Sequence, residues 1–189
     1  MGLGSRVREV RPSDREDLIR GYLDLYRERE VDPFVGIVLG ERAPSVEAEN
    51  SWFDGLMEGL RVGKKVACVA EVGGHAVGLC DVTRRGYAGV GDIAHVGDLG
   101  ILVHRGHRDQ GLGEALLRRV IEECQGRFEL LVLSVFANNA RAKHLYEKVG
   151  FRHYGTLPRG IKRNGGYVDS EEMYLELPPR TAVPRKKSA

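Results

Sequence analysis

Apolar residues recur along this chain in two rhythms, and the points where one gives way to the other divide it into strands and helices. Residues 6–11 alternate basic and apolar side chains, the period of a short edge strand, and Pro12 ends it. Ser13 or Asp14 can cap the helix that follows, with Glu16 and Asp17 in its first turn, and Leu18, Tyr22, Leu25 and Tyr26 form one face as far as about Glu30. Residues 31–44 mix proline, glycine and apolar residues without a period and read as a loop. Ser45 caps a second helix striped by Trp52, Phe53, Leu56, Met57 and Leu60, and both stripes predict core packing. Two apolar strands, 65–72 and 76–84, are joined by Gly73-Gly74, a two-residue hairpin signal.

A glycine-rich connection, 85–92, leads into the longest apolar strand, 93–103, in which Gly97 and Gly100 predict a bulge or a close backbone approach. Leu112, Leu116, Leu117, Val120, Ile121 and Cys124 then recur at helical spacing, so a helix spans 111–124. A buried strand follows at 130–135, and strand, helix and strand make a parallel, right-handed crossover. The rest reads as a helix over 139–149, a strand near 151–157, a turn at 164–166 and a last strand, 167–177. The class is α/β in the α+β sense, with antiparallel strands around a βαβ centre. Residues 1–177 form one domain, and 178–189 is a basic tail with Arg180, Arg185, Lys186 and Lys187, little to bury, and an expectation of disorder.

Composition narrows the surroundings. A length of 189 residues with 42% hydrophobic and 30% charged side chains is enough for one real core. The net charge of +2 points to no polyanionic partner, so nucleic acid is not expected. No apolar run approaches the roughly 20 residues of a membrane span, and the first residues lack the apolar core of a signal peptide. Cys68, Cys80 and Cys124 form no CxxC pair and sit in apolar patterns, as buried thiols do in a reducing cytoplasm.

Candidate chemistry lies between the apolar residues 99–103 and the helix they lead into. The connector there contains Arg108-Asp109-Gln110-Gly111-Leu112-Gly113. Its glycines clear side chains from the backbone, and its amides stand at a helix N-terminus, where orphan donors and the helix dipole favour an anion. Arg108 puts a positive charge within reach. A Walker loop is excluded, because Gly111 is followed by Leu112-Gly113 and not by Lys-Ser/Thr; a dinucleotide fingerprint is excluded, because only two glycines fit. A glycine-rich turn without a ligand stays open from this loop alone.

The remaining pattern, Arg/Gln-x-x-Gly-x-Gly between a strand and a helix, resembles the pyrophosphate loop of the GCN5-related N-acetyltransferases (the GNAT superfamily). A second stretch resembles that family's other signature: Asn139, Ala142 three residues on, the pair Leu145-Tyr146, and Gly150-Phe151. Asn139 and Tyr146 are two helical turns apart on one face, and Gly150 stops the helix as a left-handed cap. The resemblance covers roughly residues 6–177 in element order, with motifs over 103–151.

The resemblance implies the GNAT fold: a mixed, mostly antiparallel sheet of about seven strands, a splayed parallel pair at its centre, and four flanking helices. It implies acetyl-CoA as co-substrate, without a metal. The pyrophosphate would lie on Arg108, Asp109, Gln110, Gly111, Leu112 and Gly113, and the pantetheine amides would pair with the backbone of Ile101, Leu102 and Val103 as an added strand does. An N–H near Val103 would support the developing oxyanion. Tyr146 would protonate the departing thiolate, and Asn139 would bind the coenzyme or a bridging water. For the base, Asp98 stands near the place of a family glutamate, and His95 is the alternative with the more suitable ordinary pKa, near 6.5. His104 and His107 read as contacts. Ser134 stands where members that acetylate protein N-termini often carry glutamate. The implied activity is acetyl transfer to a primary amine (a protein N-terminus, a lysine or a small-molecule amine) by direct attack in a ternary complex. A transferase of longer acyl groups and a silent acyl-CoA sensor are the alternatives, and a homodimer stays open.

Overall fold

Strand periodicity decides which side of the sheet each residue faces, and here it divides the interior into two cores. The computed structural model describes residues 4–31, 40, 42–86, 91–163 and 165–178. Seven strands, β1 (Ser5–Glu9), β2 (Lys65–Val72), β3 (His75–Arg84), β4 (Val96–Val103), β5 (Leu130–Phe136), β6 (Arg152–Arg163) and β7 (Gly166–Glu176), form one sheet in the order β1-β2-β3-β4-β5-β7-β6. In β2, Val66, Cys68 and Ala70 turn to one core while Ala67 and Val69 turn to the other. The first core is covered by α3 (Leu112–Cys124), whose Leu116, Leu117, Val120 and Cys124 are out of solvent, and by Tyr146 of α4 (Ala140–Lys148). The second is covered by α1 (Arg15–Val31) and α2 (Val46–Arg61), through Leu18, Phe53 and Leu56. Each such side chain contributes roughly 1.5–3 kcal/mol on burial.

Local signals account for several element ends. Ser45 caps α2 by accepting from Ala48 N at 3.2 Å. Gly73 and Gly74 turn the β2–β3 hairpin at φ +58° and +87°, a left-handed pair that glycine adopts without steric cost. Gly150, at φ +104°, ends α4 while Phe151 N returns to Tyr146 O at 3.0 Å. Asp14 does not cap α1 as the sequence predicts. It reaches back to Arg11 N at 2.7 Å and pairs with Arg8, closing a short 3₁₀ turn, Pro12–Asp14, ahead of the helix.

Two strand boundaries also differ from expectation. The central strand begins at Val96 and not at residue 93, because residues 92–95 turn on an Ala94 N to Gly91 O bond that leaves Ile93 exposed. Turn chemistry overrides the apolar run there. At the other edge, β6 does not stop near residue 157 but continues to Arg163 across an irregularity between Leu157 and Ile161. Arg159 sits in it at φ +56°, its N–H donating to Asp169 Oδ1 at 2.7 Å. Pro158 is tolerated because β6 is an edge strand. Gly97 meets the expected close approach: a Cβ there would stand 2.4 Å from Val82 Cγ1.

The β4–β5 pair is parallel and short. It runs only from Val96↔Leu130 to Asp98↔Val132, after which the two strands share no further pairing. Residues 179–189, nearly all of the basic tail, lie outside the described residues, as do parts of the 31–44 and 85–92 connections and Asn164 of the last turn.

Candidate functional site

Where β4 leaves β5, backbone groups that would have continued the ladder face an opening. His104 N donates to Val77 O at 2.9 Å, so the alternation of the antiparallel β3–β4 pair turns the main chain of Leu102 toward β3 and that of Ile101 and Val103 into the gap. Ile101 and Val103 are therefore placed to pair with an extended ligand. Leu102, expected beside them, is not.

A cavity of about 710 Å³ lies along this opening, between the loop before α3 and the length of α4. Val103, Arg108, Asp109, Gly111, Gly113 and Asn139 border it. Gly111 stands at φ +78° and carries no side-chain cap for α3. The amides of Gly111, Leu112, Gly113 and Glu114 have no acceptor among the described residues. Four orphan donors at a helix N-terminus, next to a residue with positive φ (Asp109, +62°), form an anion-binding concavity. Leu112 contributes only its main chain, since its side chain is buried in the core. Gln110 turns away, donating to Gly106 O at 3.2 Å.

Charges around this cradle are already partnered. Arg108 Nε donates to Val103 O at 2.8 Å, and both terminal nitrogens of its guanidinium meet the Glu28 carboxylate, one at 2.8 Å. Arg141 pairs with Asp109 at 3.0 Å, and Lys148 with Glu114 at 2.6 Å, so two ion pairs join α4 to the loop and to α3. Asn139 is the N-cap of α4, its Oδ1 accepting from Ala142 N at 3.0 Å.

Tyr146 and Ile101 border this cavity and a second one, of about 290 Å³, on the far side of the opening. Burial pushes the Tyr146 hydroxyl well above the ordinary tyrosine range, with a smaller contribution from Cys80, so it stays protonated at neutral pH. The second cavity is polar at its rim. Asp98 pairs with Arg85, whose Nε lies 3.1 Å from both carboxylate oxygens. Glu172 accepts from Ser134 Oγ at 2.7 Å and from Ser170 Oγ at 3.0 Å. Ser134 thus borders the cavity beside a carboxylate supplied by the neighbouring strand, where it pairs with Glu172 across β5 and β7.

His95 stands apart from all this. It is exposed in the turn before β4, at the closed end of the β4–β5 pair, and borders neither cavity. His104 and His107 pack under the loop instead, with His104 Nε2 and His107 Nδ1 buried and unbonded. Arg85, Glu172 and Glu28 were not among the residues singled out from the sequence. The only signal for Glu172 is a Glu171-Glu172 pair inside an otherwise strand-like run; its position opposite Ser134 depends on strand register.

A family model described as the acetyltransferase (GNAT) family matches residues 22–151. The chain belongs to this family. Among curated GNAT-like relatives, the L-amino acid N-acetyltransferase AaaT of Escherichia coli is 34% identical over 67% of this chain and 75% of its own length. The L-amino acid N-acyltransferase MnaT of the same organism is 31% identical over 51% of this chain and 60% of its own. In fold, the chain superposes on yncA of Salmonella typhimurium, solved with acetyl-CoA as its cofactor, with a TM-score of 0.78 at 20% identity, covering 97% of this chain and 99% of that one. The GNAT fold is therefore established: a mixed seven-stranded sheet with its one parallel pair, β4–β5, at the centre and four helices among the described residues. No helix among the described residues is long and apolar enough to cross a membrane.

Proposed function

We propose that this protein is an acetyl-CoA-dependent N-acetyltransferase whose acceptor is the amine of a small molecule of the L-amino acid kind. The observation that carries the reading is the meeting of two unlike cavities at Tyr146: one floored by orphan amides, the other rimmed by Arg85, Asp98, Ser134 and Glu172. Coenzyme A fits the first. Its pyrophosphate suits the cradle at residues 111–114, and its pantetheine amides suit the main chain of Ile101 and the N–H of Val103, whose carbonyl is taken by Arg108. Bound there, acetyl-CoA supplies an activated acyl carbonyl and a thiolate leaving group.

The chain's own groups then divide the work. Main-chain N–H groups on the free edge of β4 offer a donor to developing negative charge on the carbonyl oxygen. The Tyr146 hydroxyl, protonated and buried between the cavities, is the proton donor for the leaving sulfur. In the second cavity, Asp98 and Glu172 are the two carboxylates able to take the proton that an ammonium must lose before it attacks. Arg85 can turn to an acceptor carboxylate because its ion pair with Asp98 is solvent-exposed on both sides and opens without stranding a buried charge, so one cation and two anions complement a zwitterion. The names of AaaT and MnaT support the same class of acceptor. Three free, buried thiols support a reducing, cytoplasmic setting.

Thiol release from acetyl-CoA, measured over L-amino acids, polyamines, aminoglycosides and N-terminal peptides, tests this. Turnover is expected with an amino acid and to fall at least tenfold when its carboxylate is amidated. Preference for peptides or polyamines would overturn the acceptor class. Tight coenzyme binding without turnover on any amine would instead make the protein a sensor.

A further inference from the structure

One face of α1 is keyed into the segment that follows β4. At Gly21 the helix lies so close to His104 that a Cβ would stand 1.7 Å from His104 Nε2. Burial, with help from His107, lowers the pKa of His104, so the ring packs there uncharged. Seven residues on, and therefore on the same face, Glu28 is buried to 8% exposure although its side chain is a carboxylate. Its partner is Arg108, the first residue of the glycine loop.

The bonding of Arg108 is complete enough to decide what it does. All three guanidinium nitrogens donate to the protein: two to Glu28 in a forked pair, and Nε to the carbonyl of Val103, the last residue of β4. One side chain thus ties together α1, the loop and the free edge of the sheet. Pulling Arg108 toward a bound phosphate would strand Glu28 as a buried charge without a counter-ion, which is the heaviest outcome for such a pair. At the cradle, the field of Arg108 is also largely cancelled by the Glu28 charge in contact with it.

We propose that Glu28 is a positioning residue of the coenzyme site. Acting through Arg108, it holds the loop in the conformation that presents the amides of residues 111–114, and those amides, not the Arg108 guanidinium, hold the anion. The proposal rests on the reading that this loop takes the pyrophosphate of coenzyme A.

Calorimetric titration with coenzyme A, repeated over a range of salt concentrations, tests it on the wild type, Glu28→Gln, Arg108→Met, Arg108→Lys and the Glu28→Gln/Arg108→Met pair. As a brace, the two residues act as one unit. Each of the first two changes should weaken coenzyme A by on the order of 10-fold, and the double variant should be no weaker than about threefold below either single one. Lysine cannot make the fork, so Arg108→Lys should behave like Arg108→Met, and the salt dependence of binding should stay that of the wild type. The proposal is overturned if Glu28→Gln leaves binding unchanged or tightens it, if Arg108→Lys restores it, or if loss of Arg108 flattens the salt dependence; the first would mean that Glu28 braces nothing, and the others that the positive charge at residue 108 itself meets the phosphates. Should Glu28→Gln fail to fold, the Lys and Met comparison and its salt dependence still decide. A wild type that takes up no coenzyme A would overturn the site reading itself, a result distinct from a wild type that binds and variants that behave as ligand losses.

Discussion

Tyr146 is nine-tenths out of solvent yet borders two cavities, and its proposed role as proton donor rests on that placement. Tyr146 is 8% exposed, its ring lies 6.0 Å from that of Phe151, and burial keeps it a phenol far above neutral pH. Tyr146→Phe retains the ring and its packing, so the helix register should survive. Loss of a general acid should then lower kcat by about 10²–10⁴-fold, while the Kd for coenzyme A moves far less. A donor with a more acidic thiol should recover part of the loss. If Tyr146→Phe turns over at the wild-type rate while chemistry is rate-limiting, the residue is only a packing group. The spacing from Asn139 to Tyr146 made this side chain legible in the sequence, because both the helix period and its glycine stop are local. Its neighbours were less so. Arg108 was legible as a cation by the loop, but its charge is answered by Glu28, 80 positions earlier, and no local pattern announces such a pair. His95 read as a base on its ordinary pKa alone; three residues of turn placed it at the wrong end of the strand.

Among the elements, α4 carries the sharpest division between holding the fold and holding a ligand. Asn139 was expected to bind the coenzyme or a bridging water, and in the structure its Oδ1 accepts from Ala142 N as the helix cap while the residue still borders the larger cavity. The two roles separate by substitution. Asn139→Ala removes the cap and should lower stability by about 0.5–2 kcal/mol in urea unfolding. Asn139→Asp keeps a capping oxygen and favours the helix dipole, so stability should return to near wild type. The added negative charge at the groove should nevertheless weaken coenzyme A severalfold by calorimetry. Equal coenzyme affinity in the Asp variant and the wild type would place the phosphates away from α4. Helices α2, α3 and α4 were legible because caps, stripes and stops are short-range. Strand ends were not: β4 lost residues 93–95 to a turn, and β6 gained six beyond 157 because pairing with β7, a tertiary fact, carries it past Pro158.

At the scale of the molecule, the sheet divides two cores, and the one beneath α3 holds all three thiols. Cys68 and Cys80 are opposite neighbours on β2 and β3, and Cys124 closes α3 above them. The sequence marked them as buried, since each sits in an apolar pattern; that they share one core follows only from the register. Burial pushes the Cys68 thiol up to about 11 and that of Cys124 to about 12, and raises that of Cys80 as well. Tyr146 and Tyr22, the latter up to about 12, move the same way, again chiefly through burial. In the unfolded chain these thiols ionise near pH 9 and the phenols near 10. Above those values the folded state binds more protons than the unfolded one, so stability must fall as pH rises. The contribution is fully present below about pH 8.5 and is lost from about pH 9 through 11–12 as the folded groups are forced to ionise. Each group steepens the decline by at most about 1.4 kcal/mol per pH unit. Urea midpoints taken from pH 7.5 to 11 should therefore hold level and then drop. Cys124→Ala deletes one of the titrations: it should start lower, from the small void it leaves, and then lose stability less steeply than the wild type. Parallel declines in the two proteins would mean that Cys124 ionises as freely in the fold as outside it, and that the core beneath α3 admits water.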